Sequence, residues 1–143
     1  MKRRIRAAAA AALAVPTCAL ACASSVEEVA ALLGEKRLPQ AWVETSMADG
    51  KPLVMSLAQR DGVLFMQFYK THEGLWAQGP VAVCASNDEV VAEIAPGRVA
   101  LGPAAHWLLR QALANGARFR LARLGRRLRV ATTGWSGIFA PAE

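Results

Sequence analysis

Apolar and polar positions change their period along this chain, and each change predicts an element. Val26, Val29, Ala30 and Leu33 fall at i, i+3, i+4 and i+7, with Ser25 and Glu28 spaced as a capping box and Gly34 as the stop. That pattern predicts a short amphipathic helix. After Pro39 the period shortens to that of strands, starting with Ala41 to Ser46. Lys51 to Arg60 and Val63 to Thr71 flank Asp61-Gly62, a two-residue sequence that favours a type I′ hairpin. A tight turn there sets Leu57 opposite Met66 and Met55 opposite Phe68, with Leu53 and Leu64 on the same apolar face.

His72 to Pro80 reads as a loop, because two glycines and a proline surround Trp76. Strands follow at Val81 to Ala85 and Glu89 to Ile94, then a Pro96-Gly97 turn and Arg98 to Leu101. Gly102-Pro103 opens a second predicted helix, with Leu108, Leu109, Ala112 and Leu113 on its buried side and Asn115-Gly116 as its close. Arg118 to Ala122 and Arg127 to Thr133 form a last hairpin, and Gly137 to Ala140 a terminal strand. The expected architecture is α+β: an antiparallel sheet of about six to eight short strands packed by two short helices.

The first 23 residues stand apart from this plan. Lys2, Arg3, Arg4 and Arg6 precede an alanine-rich apolar run that ends in Ala19-Leu20-Ala21-Cys22-Ala23, which is the composition of a cleaved export signal. The run is shorter than the roughly 20 apolar residues a bilayer span needs. The expected division is a signal over 1–23 and one domain over 24–143, placed in the periplasm or anchored at the outer membrane. Cleavage after Ala21 uses Ala19 and Ala21 as its small residues, and cleavage after Ala23 uses Ala21 and Ala23. A third outcome is lipidation of Cys22, which follows a small residue as in a lipoprotein signal.

The cut decides the cysteines and the charge. If Cys22 is retained it carries lipid or pairs with Cys84, closing a loop worth ~4 kcal/mol on the chain-entropy model. If it is removed, Cys84 is a lone residue in the apolar stretch Val81 to Ala85, and a small buried core cysteine is the preferred expectation. Of 17 basic residues, Lys2, Arg3, Arg4 and Arg6 leave with the signal, so 13 face 11 acidic ones and the net charge falls from +6 to +2. The basic residues that remain gather in the last third.

With a four-residue connection over Arg123 to Arg126, the last hairpin would place Arg118, Arg120, Arg127 and Arg129 on one face and Arg120 directly opposite Arg129. Like charges so placed repel unless something acidic lies between them. The internal candidates are Glu44, Asp88, Glu89 and Glu93, and plain solvent exposure is the alternative to any partner. The external ones are an acidic segment of an envelope protein, an anionic lipid or an anionic polymer. Nucleic acid is not an expected partner, since the exported chain is nearly neutral and carries no binding motif. Trp76 in its shaped loop is a second candidate anchor.

Catalytic patterns are thin. His72 and Glu73 are adjacent and point apart on an extended chain, and Gly134-Trp135-Ser136-Gly137 lacks the Gly-x-Ser-x-Gly spacing. A triad of Cys84, His106 and Asp88 would depend wholly on the fold. Neither a cofactor nor a metal site is expected.

A signal ending at a cysteine, short strands around Cys84, a helix over Ala104 to Ala114 and two following strands together resemble the small pilotin lipoproteins that escort secretin rings to the outer membrane. The resemblance covers residues 80–133. It implies a non-enzymatic accessory protein of a secretion or pilus system that holds an apolar or amphipathic peptide segment. The other classes are an inhibitor or immunity protein against an envelope hydrolase, inserting its Trp76 loop, and a small enzyme.

Overall fold

The strand period runs further than the sequence predicts. The computed structural model describes residues 21–45, 50–105, 110, 113 and 116–142. Among them one helix and eleven strands follow in the order β1 (Ala21–Ala23), α1 (Val26–Leu32), β2 (Trp42–Glu44), β3 (Leu53–Arg60), β4 (Val63–Lys70), β5 (Gly74–Pro80), β6 (Ala82–Ser86), β7 (Glu89–Ile94), β8 (Ala100–Leu101), β9 (Ala117–Leu124), β10 (Arg127–Thr132) and β11 (Trp135–Pro141). All strands join one antiparallel sheet, ordered β1-β6-β7-β9-β10-β11-β2-β3-β4-β5-β8.

This corrects the α+β expectation. The sheet curls into a half-barrel, so its core comes from its own concave face and not from a layer of two helices. Phe68 on β4 and Phe119 on β9 lie five places apart in the strand order, yet their ring centroids are 5.0 Å apart. Phe68, Phe119, Phe139, Met66, Leu128 and Val130 are fully buried on that face. Each such side chain contributes roughly 1.5–3 kcal/mol of burial. Curling removes the need for a second covering layer. The predicted second helix falls mostly on 106–109, 111–112 and 114–115, outside the described residues. Next to it, Arg110 donates to the carbonyls of Ala105 and Gly102, and Leu113 is buried.

The β3–β4 hairpin forms with the expected register, Met55 opposite Phe68 and Leu57 opposite Met66. Asp61 and Gly62 both take positive φ, 52° and 79°, as a type I′ turn requires. Of the expected loop over His72 to Pro80, His72 and Glu73 lie in a turn, but Gly74–Pro80 is strand β5, paired with β4 across a register shift at Phe68/Tyr69 and with β8 on its other side. A Cβ on Gly79 would lie 2.6 Å from the Arg98 carbonyl oxygen. That glycine marks the close approach of another backbone, not a loop.

Helix α1 starts as its spacing predicts. Ser25 caps it, its hydroxyl accepting from the Glu28 N–H at 3.1 Å. The return arm differs from a standard capping box: the Glu28 carboxylate accepts from the Ser24 N–H at 2.7 Å and the Ser24 hydroxyl at 2.9 Å. Those two donors hold the Glu28 carboxyl below its ordinary range. Val29, Ala30 and Leu33 are buried, and the helix packs on β1, β3 and β6.

Candidate functional site

The last hairpin positions the candidate site, and its turn is tighter than expected. Gly125 and Arg126 form a two-residue connection, with Gly125 at φ 65° and Leu124 opposite Arg127. The register shifts accordingly. Leu121 faces Val130, Arg120 faces Ala131 and Arg129 faces Ala122, so Arg120 and Arg129 are not directly opposite. Because strands alternate, the shorter turn still leaves Arg118, Arg120, Arg127 and Arg129 on one exposed outer face, while Phe119, Leu121, Leu128 and Val130 point into the core. Small alanines facing the arginines replace the like-charge pair.

Two of the four arginines have internal partners. Arg118 lies 3.7 Å from Glu93 and Arg120 3.8 Å from Glu89, both across the β7–β9 side, and all four side chains are more than half exposed. Such pairs contribute ~0–1 kcal/mol. Arg127 and Arg129 have no carboxylate partner among the described residues. Arg129 and Arg120 border an open depression of about 420 Å³, whose other described walls are Ala131, Thr132, Gly134, Trp135 and Ser136, with no acidic side chain among the described residues. A second depression, of about 560 Å³, is lined by the same two arginines together with Leu32 and Leu33 of the helix end and the acidic Asp88 and Glu89. Two guanidiniums beside a hydroxyl-bearing wall can hold a carboxylate or phosphate through charge-assisted hydrogen bonds.

Arg123 is a brace that the sequence did not mark. On the core side of β9, its guanidinium donates to the carbonyls of Leu33, Gly34 and Gly125 and pairs with Glu35 at 3.1 Å. It closes the C-terminal end of α1 and ties it to the hairpin. Its signal in the sequence is inward parity with Leu121 and Phe119, which holds only when the connection is as short as Gly125-Arg126.

The remaining candidates are placed as follows. Trp76 is 7% exposed on β5, its ring 5.8 Å from Phe68 and 5.4 Å from Trp135, so it is core and presents nothing for a partner or hydrolase to contact. Glu44 is buried inside the sheet, on the opposite side from the arginine face. Cys84 is not a lone core cysteine. It is half-buried and disulfide-bonded to Cys22 directly across the β1–β6 ladder. The bond occupies the Cys22 sulfur that lipidation would use, and it removes the thiol that a Cys84 triad would need; His106 lies outside the described residues. Ser136 stands on a strand, not at a strand-to-helix turn. No cluster of His, Cys, Asp and Glu among the described residues could hold a metal ion, and no described helix is long and apolar enough to cross a membrane.

Comparison with known proteins adds no kinship: no family model, curated protein or solved structure matches this chain.

Proposed function

We propose that this is an exported, non-enzymatic binding or accessory protein of the cell envelope whose arginine face receives an acidic segment of a partner protein. The observation that carries the reading is Arg129, exposed on a three-strand platform, without a carboxylate partner among the described residues, beside a depression that it shares with Arg120 and that no described acidic side chain lines. A rigid sheet fixes the spacing of its cations before binding, which lowers the ordering cost of association. The partially paired Arg118 and Arg120 exchange weak internal contacts for external ones at little cost. An escort role of the pilotin kind, for a secretion or pilus system, is one form of this function. The outer face supports it better than the concave one, which the protein's own aromatic side chains fill.

The test is binding of an oligoglutamate peptide to the protein and to an Arg120→Glu/Arg129→Glu variant. The expected result is salt-sensitive binding by the parent protein, loss of binding in the variant and a nearly unchanged melting temperature. Equal binding by both proteins overturns the reading. So does an anionic vesicle that outcompetes the peptide, because it makes lipid the ligand.

A further inference from the structure

The Cys22–Cys84 bond bears on where the chain is cut during export, an inference that rests on the export reading above. Strand β1 (Ala21–Ala23) spans the two cleavage positions that the sequence offers: the cut after Ala21 falls within it and leaves Cys22 and Ala23, and the cut after Ala23 falls at its end. It pairs Ala21 with Ala85, Cys22 with Cys84 and Ala23 with Val83. Ala23 packs against the core, and the neighbouring Ser24 is tied to Glu28 at the start of α1. Cutting after Ala23 would discard the whole strand, strip the outer edge of β6 of its hydrogen-bond partners and leave Cys84 as a half-buried thiol. An unpaired edge of this kind invites pairing with other chains. Cutting after Ala21 keeps Cys22, Ala23 and the covalent link. Lipidation competes for the same atom, since a lipid thioether and a disulfide cannot share one sulfur.

We propose that signal peptidase cuts between Ala21 and Cys22, using Ala19 and Ala21 as its small residues, and that the mature chain begins at Cys22 with its sulfur bonded to Cys84 and free of lipid. In forming that bond the two thiols lose two protons and two electrons, which pass to a disulfide-donating oxidant of the export compartment as its own disulfide is reduced to a dithiol. The protein is then released and not membrane-tethered, and its first residue is fastened into the sheet.

The full chain, expressed with its leader in a Gram-negative host and recovered from the periplasm, tests this by intact mass without reduction. The expected species starts at Cys22, is lighter than its reduced form by two hydrogen atoms, and takes up alkylating reagent at both cysteines only after reduction. A start at Ser24, an acylated Cys22, or a Cys22 start with both thiols free overturns the proposal. A leader that is never removed overturns both the proposal and the export reading, whereas a Ser24 start leaves export standing. Ala23→Leu should leave the product unchanged apart from its own mass, and Ala21→Leu should stop the cut. Cys22→Ser should still be cut after residue 21; failure of that variant alone to be processed would show lipoprotein processing instead.

Discussion

Arg123 and Arg129 sit on one hairpin and have opposite duties. Arg123 spends its donors on the carbonyls of Leu33, Gly34 and Gly125 and on Glu35, so Arg123→Ala should cost about 1–2 kcal/mol, read as a lower urea midpoint. Arg129 has no hydrogen bond or ion pair among the described residues, and Arg129→Ala should change stability by less than about 0.5 kcal/mol in the same experiment. A binding loss without a stability loss at Arg129, and the reverse at Arg123, separates the site from its scaffold. Gly137 makes a third case. A Cβ there would lie 2.6 Å from Glu44 Oε2 and 3.1 Å from the Trp135 ring, so Gly137→Ala should destabilise by roughly 1–3 kcal/mol through overpacking in the same denaturation measurement.

At the scale of elements, the helix and the first long hairpin were legible because their determinants are neighbours in sequence. Ser25, Glu28 and the i, i+3, i+4 apolar set act within one turn, and Asp61-Gly62 sets the β3–β4 register alone. Strand β5 was not legible, since Gly79 answers to the Arg98 carbonyl, a contact made only after folding. The hairpin at Gly125 was half legible: alternation told which face the arginines share, but the turn length, and with it the cross-strand partners, did not follow. Removing the cap tests the helix directly. Ser25→Ala should cost about 1 kcal/mol, seen as faster amide exchange across Val26–Leu32. Protonation should loosen the same turn. The Glu28 carboxyl is held low by Ser24, so it contributes stability above its unfolded value, and that contribution is lost as the pH falls through the lower folded value. Glu28→Gln should flatten that part of the acid dependence of the melting temperature.

Across the whole molecule, curling was beyond a reading of local pattern, because it arises where strands distant in sequence meet, as at Phe68 and Phe119. The same holds for the pairing of Cys22 with Cys84, which was an alternative until the sheet set β1 beside β6. Their separation of 62 residues in the chain makes the link a substantial constraint on the unfolded state. On the chain-entropy model it is worth ~4 kcal/mol. Reduction should therefore lower the melting temperature by roughly 10–20 °C in a calorimetric scan with and without dithiol. A shift of a degree or two would show that β1 contributes little to the global fold.

The clasp also changes how the protein answers to mechanical load. A pull applied at its N-terminus would ordinarily peel so short an edge strand away one hydrogen-bonded pair at a time. With Cys22 bonded to Cys84 the force passes at once into β6, near the middle of the chain, and bypasses everything between. Resistance to extraction from that end is then set by the β6–β7–β9 ladder, the strands that carry Glu89, Glu93, Arg118 and Arg120.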